Sequence, residues 1–131
     1  MDEPSAHDIL RSRGRERLRE ILGDEYLEKR DASTSPFNAA LRALSEEFPY
    51  ATLWTRSGLD LRQRSLATLA MLCALNRPHE LRMHLIGALR NGVTPEEISE
   101  LFTHASAYCG FPAAIDALSI AEAVLKDQGR L

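Results

Sequence analysis

The ten residues VTPEEISELF, positions 93–102, leave the backbone little choice. Thr94 can accept from the amide three residues on, Glu97 can reach back to the Thr94 amide, and Pro95 fits a first helical turn, where its missing N–H costs nothing. A helix must start there. The same punctuation recurs along the chain. Asp8 can cap a helix carrying Ile9, Leu10, Leu18, Ile21 and Leu22 and stopped by Gly23. Ser35-Pro36 opens a helix through Phe37, Leu41, Leu44 and Phe48 that Pro49 ends. Asp60 caps another, Pro78 starts one that Asn91-Gly92 ends, and Pro112 opens a last one to about Gln128. Between Gly23 and Ser35 the segment DEYLEKRDASTS reads as a polar linker. No alternating run competes for strand, so the expected class is all-α, a compact bundle of about six helices in one domain, residues 1–131.

The helix capped by Asp60 ends in LATLAMLCAL, apolar on all sides. So small a domain cannot easily enclose such a helix alone, which points to a homo-oligomer. The run is too short to cross a bilayer, and the polar amino terminus is no signal peptide, so a soluble cytoplasmic protein is expected, with no membrane partner. Cys73 and Cys109, far apart in sequence and set in apolar runs, read as reduced thiols rather than a disulfide or metal site. A net charge of -3 argues against nucleic acid. The one basic run, RSRGRERLRE, has a glutamate near each arginine and reads as a solvated amphipathic helix.

The stretch NRPHELRMH, residues 76–84, carries the chemistry. Positions 77, 80, 84, 87 and 91 follow three- and four-residue steps, which places Arg77, Glu80 and His84 in one sector if the helical register extends back to Arg77. Gly87 would leave room on the same stripe. Leu81, Leu85 and Leu89 form the neighbouring stripe, so His84 sits at the border of the buried face. A Glu–His pair four apart can equally be a surface contact of about 0.2–0.5 kcal/mol. His79 falls off the stripe.

The residues also resemble a family. WTR-x-GLD, RSL-x-x-x-AML, EL-x-x-H, GAL-x-NGVT-x-EEI and Y-x-G-x-P-AA, in that order between about Gly14 and Leu125, look like the carboxymuconolactone decarboxylase family. The wider superfamily includes alkylhydroperoxidase-like enzymes, whose relay resembles a Glu, a C-x-x-C pair and a His. On this chain the cysteine positions become Arg77 and Glu80, the glutamate falls near Ser65, and only His84 survives. Peroxide reduction through a dithiol needs thiols that this motif lacks.

The decarboxylase resemblance implies loss of CO2 from 4-carboxymuconolactone, a small carboxylated lactone, giving the 3-oxoadipate enol-lactone in aromatic catabolism. No cofactor and no metal is implied, since the lactone is its own electron sink. It also implies an alkylhydroperoxidase-like fold and a homohexamer built as a trimer of dimers. His84, poised by Glu80, would deliver the proton; Arg56, Arg64 and Arg77 would hold carboxylates; Trp54 and His104 would line the pocket. Arg64 could instead pair with Asp60 four residues earlier, and Trp54 and Tyr50 could be core. Tyr108 and Cys109 are expected to pack before the Gly110 turn. Where the family pattern reads W-G-E-I-W this chain reads YATLW, so Thr52 stands in place of a glutamate. A related isomerase or cyclase, or a non-catalytic binding protein, are the alternatives.

Overall fold

The computed structural model describes residues 2–131. Seven α-helices and one π-helical stretch make up its regular structure, with no strand among the described residues: α1 Ala6–Leu22, α2 Asp24–Ala32, α3 Ala39–Ser45, the π stretch Glu46–Leu53, α4 Leu61–Leu75, α5 Pro78–Arg90, α6 Pro95–Cys109 and α7 Phe111–Asp127. The all-α class holds. The chain divides into two compact units, one ending at Leu59 and one running Asp60–Leu131.

In the first unit the start of α1 shifts from the expectation. Ser5, not Asp8, is the cap, and Asp8 is the third helical residue that answers it: the Asp8 amide donates to Ser5 Oγ at 3.1 Å and the Ser5 amide to Asp8 Oδ2 at 3.0 Å. The bond from the Ser5 amide, foremost, holds the Asp8 carboxyl below the usual carboxylate range. Gly23 ends α1 as expected, with φ 94° and its amide bonded to the Arg19 carbonyl at 2.8 Å.

The segment expected to be a linker is α2. Asp24 and Glu25 stand in its first turn and Lys29 and Arg30 in its last, which suits the helix dipole, and Glu25 pairs with Lys29 one turn on at 3.0 Å. None of its residues is buried, so it has no apolar stripe for periodicity to find. Charges anchor it instead: Arg15 pairs with Asp31 at 2.7 Å, and Arg30 donates to Glu46 Oε1 and Ser45 Oγ, each at 2.7 Å.

Two further expectations fail next to it. Ser35-Pro36 forms a turn, in which the Ser35 amide donates to Asn38 Oδ1 at 2.9 Å, and α3 begins only at Ala39. Pro49 does not end the helix but lies inside the π stretch. The wider winding closes bonds over five residues, as from the Trp54 amide to the Pro49 carbonyl at 2.8 Å, and Thr52 Oγ1 spans the same interval to the Glu47 carbonyl at 2.9 Å. Helix α1 packs on this stretch at Gly14, where any Cβ would overlap the Glu46 carbonyl. Glu46, 2% exposed, gathers Arg30 at 2.7 Å, Arg15 at 3.2 Å and Arg11 at 3.7 Å.

The second unit follows its punctuation. Asp60 and Gln63 form a capping box for α4, and Thr94 and Glu97 form another for α6. Asn76 ends α4 in the left-handed conformation at φ 58°, which Asn tolerates better than most residues. Gly92 and Gly110, at φ 92° and 93°, make the next two turns. Helices α5 and α6 pack on α4, and α7 packs on all three. Their shared core holds Leu69, Leu85, Ile98 and Phe102, each at most 1% exposed. Met71 and Leu75 of α4 remain 63% and 62% exposed, the outward side of the helix that is apolar all round.

Candidate active site

Helix α5 sets the geometry of the NRPHELRMH stretch. Pro78 is its first residue, so Arg77 stands at the cap position with φ -113° and ψ 77° and lies just outside the helical register. Glu80 and His84 are one turn apart inside it. Arg77 and Glu80 are exposed, whereas His84 is half-buried beside the wholly buried Leu85 and Ala88. Burial pushes the His84 imidazole below its ordinary value of 6.5, and the Glu80 charge pulls the other way. The ring is therefore mostly neutral at pH 7, on the acid-strong side of an ordinary histidine. At the end of the helix the side-chain Nδ2 of Asn91 donates to Ser65 Oγ at 2.9 Å, and Ser65 is 2% exposed.

Arg77 belongs to an open cleft of about 250 Å³ between the end of α4, the start of α5 and one face of α7. Its polar lining is Arg77, Asn76, Asp116 and Ser119, beside Cys73. Glu80 and His84 do not line it, so the structure brings Glu80 to His84 while directing Arg77 towards this neighbouring cleft. Sequence reasoning missed Asn76, Asp116 and Ser119. Asp116 and Ser119 did carry a signal, as polar residues within the apolar run AAIDALSIAEA of α7.

The remaining candidates spread out. Arg64, half-buried in the first turn of α4, donates its amide to the Asp60 carbonyl at 3.0 Å. His104 is exposed on α6, its ring 5.1 Å from that of Tyr108. Tyr108 is 81% exposed and so does not pack as expected; it faces solvent at the end of α6, while Cys109 is half-buried. Trp54 and Arg56 belong to the first unit. Trp54 is 8% exposed and stacks on Tyr50 at 6.4 Å, and burial pushes the Tyr50 phenol up to about 12. Arg56 is exposed, its amide bonded to the Leu53 carbonyl at 3.1 Å.

Together these residues offer a half-buried histidine with a carboxylate one turn away, and a guanidinium at the start of the same helix. That set can exchange a proton and hold a carboxylate.

Comparison with known proteins gives the same direction. The carboxymuconolactone decarboxylase family matches residues 39–123. A 4-carboxymuconolactone decarboxylase of Acinetobacter baylyi is 41% identical over 110 residues, covering 84% of this chain and 82% of that protein. A nitrosuccinic acid decarboxylase of Metarhizium robertsii is 37% identical over 121 residues, covering 92% and 85%.

Proposed function

The chain belongs to the carboxymuconolactone decarboxylase family, and from that premise we propose that it is a cofactor-independent carboxy-lyase acting on 4-carboxymuconolactone to give the enol-lactone of aromatic, protocatechuate-type catabolism. The observation that carries this reading is the 41% identity over most of both chains to a protein of that activity. The similarity to a nitrosuccinic acid decarboxylase favours a second reading, in which another carboxylic acid loses CO2 at the same site. Thr52, where the family pattern has a glutamate, is consistent with such a change of substrate.

The chemistry asks for little beyond placement and a proton. The bond to the departing carboxylate breaks, its electrons spread through the unsaturated lactone to the ring carbonyl, and a proton then adds to carbon. Arg77 would hold a substrate carboxylate from the adjoining cleft, which neither Glu80 nor His84 lines. His84 delivers the proton, and Glu80 supports its charged form. Arg64 and His104 are further candidates for substrate contact.

The depressed His84 pKa gives this a pH signature. The acid form is required, so kcat/KM, which reports the free enzyme, falls as pH rises through a value below 6.5. A bound carboxylate beside the ring raises that value, so the matching limb of kcat lies at higher pH. Purified protein should consume the lactone and release CO2, and His84→Gln should lower turnover by roughly 10²- to 10⁴-fold with the fold intact. Arg77→Ala should weaken binding at least as much as it slows turnover. Turnover of nitrosuccinate but not of the lactone would select the second reading, and undiminished activity in a folded His84→Gln variant would remove His84 from the mechanism.

We further propose a cytoplasmic homohexamer arranged as a trimer of dimers. Exposed Met71 and Leu75 on α4, with Phe37, Leu41 and Phe48 in the first unit, support burial against other copies. Light scattering at micromolar concentration should give six chains, and a monomer would end this proposal.

A further inference from the structure

Two nucleophilic side chains take no part in the proposed chemistry. Cys73, near the end of α4, and Cys109, the last residue of α6, are free thiols whose sulfurs lie 3.9 Å apart. They are 36 residues apart in sequence and outside the positions that a C-x-x-C would occupy. The two are unequal. Cys73 is 2% exposed, with its S–H towards the Ala113 carbonyl of α7 at 3.7 Å. Cys109 is half-buried, donates to the Ala105 carbonyl at 3.2 Å, and stands next to Gly110, where the chain leaves α6 at φ 93°.

We propose that Cys73 and Cys109 are a reversible two-electron oxidation site, closed to an intramolecular disulfide by a low-molecular-weight disulfide such as oxidised glutathione. Closing the bond requires the sulfurs to approach from 3.9 Å to about 2.05 Å. A rotation at Cys109 and a small yield of the last turn of α6 supply this, because helix ends give way more cheaply than helix interiors. The order of events follows from access. The Cys109 thiolate attacks one sulfur of the small disulfide, forming a mixed disulfide and expelling one thiolate. That thiolate takes the Cys73 proton, and the Cys73 sulfur then attacks Cys109 and expels the second small thiol. Two protein thiols are oxidised and one disulfide is reduced to two thiols, with no net change in protons. Cys73 suits the second role better than the first, since burial and the neighbouring Cys109 push its thiol up to about 11. The closed bond ties α4 to α6 and draws the Cys73 sulfur away from Ala113, both of which wall the Arg77 cleft.

The test uses the full chain and oxidised glutathione at mildly alkaline pH, followed by alkylation and non-reducing peptide mapping. The expected product has lost both free thiols, is lighter by two hydrogens, joins the Cys73 and Cys109 peptides and reverts with dithiothreitol. Its Tm should rise by several degrees, since the bond closes a long loop. Cys73→Ser should leave Cys109 carrying glutathione as a stable adduct, and Cys109→Ser should leave Cys73 unreacted. Wild-type protein that keeps both thiols free, or carries glutathione on Cys109 with Cys73 still reduced, overturns the proposal. The wild-type map does not depend on any variant folding or on the decarboxylase reading.

Discussion

The two units of this chain are organised around opposite kinds of centre. In the first, the buried carboxylate of Glu46 is surrounded by Arg11, Arg15 and Arg30. In the second, Leu69, Leu85, Ile98 and Phe102 form an apolar interior on which four helices converge. A charged centre costs desolvation and returns it only while every partner stays in place, so it fixes one geometry and tolerates little exchange. An apolar centre depends on volume and permits conservative exchange. The contrast extends to titration. Beside guanidinium groups an acid is held ionised, as Asp31 is held low by Arg15, whereas at the margin of the apolar core His84 is held neutral by burial.

Three substitutions test this contrast. The largest effect should come from Glu46→Ala, which leaves three guanidinium groups without their shared carboxylate and should cost about 3–5 kcal/mol. Amide exchange should accelerate mainly in α1, α2 and the π stretch, with the second unit still protected. Leu85→Ala should cost about 2–5 kcal/mol and show the reverse pattern, because it opens a cavity in the apolar centre. Equal loss of protection in both units from either change would show that the two centres unfold together, and the comparison would fail. Smaller still, Thr94→Ala removes one half of a capping box and should lower stability by about 0.5–2 kcal/mol, read from denaturant midpoints, with Thr94→Ser restoring most of it.

The same contrast explains what the sequence reveals. Caps and glycine stops are local signals, so α4, α5, α6 and α7 are legible from residues a few positions apart. The all-round apolarity of α4 is equally local, and its outward Met71 and Leu75 were to be expected. Helix α2 was hidden because its anchors are long-range ion pairs, Arg15 to Asp31 and Arg30 to Glu46, that leave no period in the chain. Pro49 misled for a different reason: the rule that it ends a helix presumes four-residue bonding, and a five-residue winding accommodates it. At the candidate site, the Glu80–His84 spacing was readable because both residues share one helix. Asp116 and Ser119 beside Arg77, and Cys73 beside Cys109, were not, because each pair joins different helices.

One contact has a consequence for inheritance. At Gly14 the backbone of α1 rests on the Glu46 carbonyl with no space for a Cβ. Every other amino acid has that atom, so any missense change in this codon meets the same obstacle, whatever the chemistry of the new residue. Position 14 can therefore drift only among synonymous codons unless the π stretch moves first. Over generations the two segments are free to change together, and hardly at all one at a time.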